Sequence, residues 1–314
     1  MATGMIRGSF VLAAVVVSST AGACSSGVAE SNGDPPGPVC DGAVSVGELP
    51  GELFEASGMA RDPRRPDLFW IHNDSGNEAV LFAVDAAANL AGTTPVADAT
   101  NRDVEDLATA RCPEGWCLFY ADIGDNLSVH PDVRIHRLPL PPLPTDAAVP
   151  SAPVRPLMSY TLVFPGGPRD AESLFVDAER GELGVVTKGR ADIVELYVAD
   201  LATLETVDGP VALERVGSLD VPIGASTAQF ITGADLSPDG RRLAVRSYTT
   251  VYLWDWDGAA NFDTLSAPRS ETLIPALEPQ GEGIAFTTDG TTLYLASEGV
   301  GARPPKLSRI DCRP

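Results

Sequence analysis

Short strand-like apolar runs recur along most of this chain. Nowhere do apolar residues keep a helical spacing through three turns. Runs such as LFWIHN from Leu68, LGVVT from Leu183 and TLYLAS from Thr292 are bounded by Gly, Pro, Asp and Asn, which close strands in tight turns. The pattern predicts an all-β chain.

One unit recurs five times: a short acidic motif, a strand, a polar turn and a second strand. Its copies are EASGMARDPRRPDLFWIHNDSG from Glu55, DVEDLATARCPEGWCLFYADIGDN from Asp103, DAESLFVDAERGELGVVTKG from Asp170, TGADLSPDGRRLAVRSYTT from Thr232 and QGEGIAFTTDGTTLYLASEG from Gln280. A third strand follows each copy, and the first four are completed by a fourth, such as MSYTLVFP from Met158. Four antiparallel strands repeated radially predict a single β-propeller, because circular repetition removes exposed strand edges. Five blades are counted, and six stay open if Pro139 to Pro168 holds a degenerate unit. The last copy lacks a fourth strand, while an orphan, AVSVGELP from Ala43, precedes the first. Pairing the orphan with KLSRIDC from Lys306 closes the ring, with the N- and C-terminal strands in one blade and Cys40 beside Cys312.

The five cysteines fit this plan. Residues 1–24 form an apolar leader with Arg7 near its start, too short to span a bilayer, ending in Ala21-Gly22-Ala23-Cys24. This end resembles a bacterial lipoprotein signal that lipidates Cys24, and it also suits ordinary secretion. Residues 25–39 are polar and rich in Gly and Pro, a flexible tether to a propeller domain over 40–314. Either route leads outside the cytoplasm, where disulfides Cys40 with Cys312 and Cys112 with Cys117 persist. A net charge of -21, with Lys188 and Lys306 the only lysines, excludes nucleic acid as a partner and suits divalent cations. Membrane contact is expected only through the N-terminal lipid, and the chain is expected to be a monomer.

Because the motif and the closing segment of each copy flank one hairpin, all ten fall on one rim. That rim is acidic. A ligand-binding rim is expected from His72, Asn73, Asp74, Asp122, Asp125, Asn126 and Glu298. Candidate metal ligands are Asp103, Glu105, Asp170, Glu172 and Glu282, since Asp103 with Glu105, and Asp170 with Glu172, share a strand face. Hard oxygen ligands suit Ca²⁺ or Mg²⁺. The competing expectation is structural: carboxylates at strand entrances accept backbone N–H groups or pair with Arg102 and Arg169. His72 is the candidate general base. Tyr252, Trp254 and Trp256 share a strand face and are expected to pack between blades. The turns at the opposite end carry no expected chemistry.

The segments HNDSG from His72, VEDLA from Val104, DIGDN from Asp122, DAESL from Asp170, TGADLSPDGRRLAVRSY from Thr232 and QGEGIAF with LASEG from Gln280 resemble bacterial exported propellers of WD40-like or TolB-like type. The resemblance covers about Glu55 to Gly299. A weaker one, to phytase-like or esterase-like propellers, rests on Glu282-Gly283-Ile284 and Ser297-Glu298-Gly299 and implies a metal or substrate role for Glu282 and Glu298. With no G-x-S-x-G elbow, P-loop or H-E-x-x-H, the leading reading is an extracytoplasmic binding or scaffold module. Its acidic rim, with or without a bound cation, recognises a protein, an envelope polymer or a small molecule. The alternative is a Ca²⁺-dependent hydrolase of phosphate or carboxylic esters, with Glu105, Glu172 and Glu282 on the cation and His72 or a rim carboxylate activating water.

Overall fold

The computed structural model describes residues 39–190, 193–221, 229–274 and 278–313. The leader, the lipid anchor at Cys24 and the tether up to residue 38 lie outside the described residues.

The chain begins with β1 (Val39–Cys40) and β2 (Val44–Glu48). Blade one is β3 (Ala56–Arg61), β4 (Leu68–Asn73), β5 (Val80–Asp85) and β6 (Leu90–Pro95). Blade two is β7 (Val104–Cys112), β8 (Gly115–Asp122), β9 (Val133–Pro139) and β10 (Met158–Val163). In blade three, β11 (Ala171–Asp177), β12 (Glu182–Thr187) and β13 (Glu195–Asp200) lead to a short helix α1 (Leu201–Thr206), then to β14 (Val211–Ala212) and β15 (Glu214–Ser218). Blade four is β16 (Ile231–Leu236), β17 (Arg242–Ser247), β18 (Thr250–Asp255) and β19 (Ser270–Leu273), and blade five is β20 (Gln280–Phe286), β21 (Thr292–Glu298) and β22 (Lys306–Arg313). Each blade's strands pair antiparallel in sequence order, and β14 adds a parallel fifth strand to β10 of the preceding blade.

The first strands form a circle in which β3 packs on β7, β7 on β11, β11 on β16, β16 on β20 and β20 back on β3. The propeller therefore has five blades. The stretch from Leu140 to Leu157 lays itself along blade one instead of building a sixth, with Ser151 N–H donating to Thr93 O at 2.8 Å and Val154 N–H to Pro95 O at 3.0 Å. Helix α1 escaped the sequence pattern because six residues are too short to show a helical period. Asp200 caps it, accepting from Thr203 N–H at 2.7 Å.

Closure follows the predicted route. In blade five β22 pairs with β21 on one side and with β2 and β1 on the other, with Val44 opposite Arg309 and Cys40 opposite Cys312. Cys40 and Cys312 are disulfide-bonded, as are Cys112 and Cys117 around the turn between β7 and β8. Each of the five blade interfaces holds its own hydrophobic cluster. The one between blades three and four takes Tyr252, Trp254 and Trp256, with the Trp256 ring edge-on to Phe175 at 5.0 Å and its Nε1–H donating to Asp177 at 2.9 Å. The aromatic stripe is thus packing, as alternation predicted.

The ring-closing disulfide spans 272 residues, and on the chain-entropy account it restrains the unfolded chain by at most about 5 to 6 kcal/mol. The five-residue Cys112 to Cys117 loop gives roughly 2 kcal/mol on the same account. Urea unfolding of the double variants Cys40→Ser/Cys312→Ser and Cys112→Ser/Cys117→Ser should show the first pair losing clearly more stability. Equal losses would contradict closure by the terminal strands.

Candidate functional site

Every first strand carries one extra residue at the same level. The register of β7 against β8 slips between Val104 and Asp106, that of β11 between Ala171 and Ser173, and that of β16 between Ile231 and Gly233. Wider slips span Ala56 to Met59 in β3 and Gly281 to Ile284 in β20. The residues caught in the bulges are Ser57 with Gly58, Glu105, Glu172, Thr232, and Glu282 with Gly283. A bulge bends the strand and re-aims one side chain, and here it sets Glu105, Glu172 and Glu282 close enough to repel one another, with Glu172 the middle charge. The two hydroxyl residues tie neighbouring blades: Ser57 Oγ donates to Glu105 O at 2.9 Å, and Thr232 Oγ1 to Gly281 O at 3.0 Å. Glycine at 58 is required by space, since a Cβ there would lie 2.5 Å from the Asp106 backbone and 2.7 Å from His72 Nε2.

The acids of the motifs divide by what they already hold. Asp106, fully buried, accepts N–H bonds from Leu107, from Leu174 of blade three at 2.8 Å and from Ala234 of blade four at 3.3 Å, a strut across the axis. Asp235 accepts Phe286 N–H at 2.8 Å and pairs with Arg61 at 2.7 Å. Asp122 accepts Asp103 N–H at 2.9 Å and Arg102 N–H at 3.3 Å, and Asp125 accepts His130 N–H at 2.7 Å. Asp170 accepts Asp125 N–H at 3.0 Å and pairs with Arg190, which also reaches Asn126 Oδ1. Arg169 pairs with Glu195 at 3.0 Å and not with the adjacent Asp170. For these residues the structural expectation describes the surroundings.

His72 is 1% exposed and both ring nitrogens are occupied: Nε2 accepts Gly58 N–H at 3.1 Å, and Nδ1 lies 2.8 Å from Asn73 O, to which it donates. Burial lowers its pKa to about 4. With no nitrogen left for a substrate proton, the imidazole braces the bulge of β3, so the general-base expectation gives way to a structural role. Asn73 donates from Nδ2 to Glu52 O at 2.7 Å, while its Oδ1 is buried without a donor among the described residues.

What remains is a knot of carboxylates at the mouth of the axis. Asp74, Asp103 and Glu105 each bring an oxygen to within 4.8 Å of the other two. Glu105 is only 5% exposed, and no described residue donates a hydrogen bond or an ion pair to its carboxylate. Gly124 is the residue that admits these carboxylates, because a Cβ there would lie 2.5 Å from Asp103 Oδ2. Beside them Glu172 pairs with Lys188, and Gln280 Nε2 donates to both Glu282 and Glu298 at 2.8 Å. Lys188 is the cation the sequence pattern did not bring here. Burial opposes its charge, but Glu172, Tyr248 and Glu105 outweigh burial and raise its pKa.

One ammonium faces more negative charge than it can balance. Burial, then the charge of Glu172, pushes Glu105 and Glu282 well above the usual carboxylate range. Burial raises Glu172 to about 7 against the pull of Lys188, and burial with Asp74 and Glu55 raises Glu298 to about 7. Asp74 and Asp103 are raised as well, mainly by burial. In chemical terms this mouth either retains protons or takes up a cation.

In the metal-free protein the sign of the pH dependence follows. A carboxyl whose folded pKa lies above its unfolded value contributes stability that is complete below the unfolded value near 4.5 and lost as pH rises towards 7. Melting temperature measured in EDTA should therefore fall from pH 4.5 to pH 7, and Glu105→Gln should raise it at pH 8 by about 1 to 3 kcal/mol of stability. A flat profile with an unchanged or weaker variant would mean that the mouth is solvated rather than strained.

No protein-family model matches the chain, and no curated protein matches it. Among solved structures it is similar to a gluconolactonase from Xanthomonas campestris, at 13% identity and a TM-score of 0.48, covering 89% of this chain and 96% of that one. A likeness at that distance says nothing of what this chain does.

Proposed function

We propose that this protein is an extracytoplasmic binding module whose acidic axial mouth holds a divalent cation, Ca²⁺ before Mg²⁺, and presents it to a ligand. The carrying observation is Glu105, buried, without a donor, and within 4.8 Å of carboxylate oxygens of Asp74 and Asp103. An uncompensated buried carboxylate costs several kcal/mol unless it is neutralised, and three converging oxygens fit a hard cation that prefers oxygen ligands. Asp74, Asp103 and Glu105 would hold the ion, while Glu172 and Glu282 add negative potential from the neighbouring bulges. Asp103 and Glu105 come from the expected ligand set. Asp74 comes from the expected rim, and Asp170 serves Arg190 instead.

A compartment outside the cytoplasm is supported by the two disulfides, since such bonds persist where the surroundings are oxidising. Tethering through a lipid on Cys24 belongs to the same proposal, as does a monomeric state. A ligand with its own oxygen donors, from a protein, an envelope polymer or a small molecule, would complete the coordination of the bound ion.

A second reading, ester hydrolysis with a cation, has one observation in its favour. Glu298 is half-buried at the mouth with a pKa near 7, in the range that suits a general acid or base at neutral pH. His72 takes no part in it.

The cation is tested by thermal shift at pH 7.5 after EDTA treatment. Calcium at 100 times its dissociation constant should add about 2.7 kcal/mol of stability, a rise of roughly 5 to 10 °C for a domain of this size. Glu105→Gln should abolish the rise. Absence of any shift with Ca²⁺ or Mg²⁺, or an equal shift in the variant, would end this reading. Ester turnover with calcium, lost in Glu298→Gln but with the thermal shift kept, would favour the hydrolase over the module.

A further inference from the structure

The far end of the axis, where the sequence offers only ordinary turns, opens into a cavity of about 350 Å³ to which all five blades contribute, from Arg61 in blade one to Thr288 in blade five. It is separate from the acidic mouth in both chemistry and position. Between the two, the Asp106 strut links β7 to β11 and β16, and the Arg61 to Asp235 ion pair links blade one to blade four.

The charges lining this cavity are mostly spoken for. Arg61 is held by Asp235, and Asp177 by Arg180 and by the Trp256 indole N–H. Arg111 is different. Its guanidinium carbon sits 4.2 Å from the centroid of the Trp116 ring, and no described residue accepts a hydrogen bond from it or pairs with it. Stacking on a ring face uses the flat side of a guanidinium and leaves the N–H groups in its plane pointing outward. Arg111 and Trp116 are direct cross-strand partners, each one residue before a cysteine of the Cys112 to Cys117 disulfide, so the pair sits beside a covalent brace at the cavity's edge. The walls beside it are apolar, with Val176, Leu236 and Pro238.

We propose that this cavity binds a small carboxylate with an apolar body, gripped by Arg111. Three features carry the proposal. The volume lies in the range of small-molecule sites. A planar fork of free donors matches the two oxygens of a carboxylate. The aliphatic and indole walls then receive the rest of the molecule. The net charge of -21 does not forbid an anion here, because at physiological salt charges more than about 8 Å apart are largely screened. Glu179 also lines the cavity and is the one group that would favour a zwitterion over a simple anion.

Calorimetric titration of the full chain with phenylacetate, its methyl ester and phenylalanine, in EDTA, tests this. Phenylacetate should bind saturably, the ester and the Arg111→Gln variant should each lose at least tenfold in affinity, and the ¹⁹F resonance of 5-fluorotryptophan at position 116 should move on binding. Arg111 is exposed, so an unchanged melting temperature of the variant verifies its fold. No saturable heat, an affinity indifferent to Arg111→Gln, or binding of phenylalanine without phenylacetate would each overturn the proposal. Because the titration is run without divalent cations, its outcome is independent of whether the acidic mouth holds one.

Discussion

Five strands crowded around one axis are the constraint from which the rest of the molecule follows. With so few blades, even strands of non-adjacent blades meet: β16 touches both β7 and β3, and Asp106 of blade two reaches an N–H of blade four. Regular pleated strands would leave that closeness to be filled by side chains. Here it is relieved by a bulge at one level in all five first strands and by glycine wherever a Cβ would strike the neighbour, as at Gly58 against Asp106. The bulge that lets the ring close is also what turns Glu105, Glu172 and Glu282 towards one another.

The electrostatics of the mouth is a consequence of that geometry. Acids elsewhere on the rim are neutralised locally: Asp122 by two backbone N–H groups, Asp125 by one, Asp170 by Arg190 and by the Asp125 N–H. Those contacts hold the loops. At the axis the N–H groups of Leu107, Leu174 and Ala234 go to Asp106, and among the described residues Lys188 is the counter-charge that reaches the motif glutamates. Glu172 takes it. Glu105 is left with like charges on both sides, a state that burial permits only if protons or a cation intervene. The site is defined by what the frame does not satisfy.

Much of the architecture was legible in the sequence, and for definite reasons. Short apolar runs such as LFWIHN, bounded by turn residues, read as strands because each is buried on both faces between blades, and the orphan strand before Glu55 could be matched to the missing one after Gly299 by counting. The cysteines checked the match independently, since antiparallel pairing puts Cys40 beside Cys312 only if the ring closes there. Convergence of acids on one rim was also visible. What was not visible is which acids are free. Alternation assumes an unbroken pleat and cannot foresee a bulge, so it could not separate Glu105 from Asp106, one residue apart yet respectively unpartnered and triply bonded. Nor could it show that His72 is enclosed between β3 and its own strand, or that Lys188, one of two lysines, points into the acidic mouth. The six-blade alternative fell because Leu140 to Leu157 forms no sheet of its own and meets blade one through Ser151 and Val154.

The two ends of the axis are best understood as opposite results of the same packing. At the bulged end the strands draw together and expose too many oxygens to one another, which favours a small, hard, positive ion. At the other end the strands diverge into turns and leave an open hollow with apolar walls, where the uncommitted arginine, Arg111, is fixed by an indole and a disulfide. Arg61 stands between them, its guanidinium spent on Asp235 and Leu236 O, so neither end can borrow its charge. Neither end is therefore balanced by the other, and it is this division by inner-strand pairing, more than any motif, that gives the propeller two distinct faces.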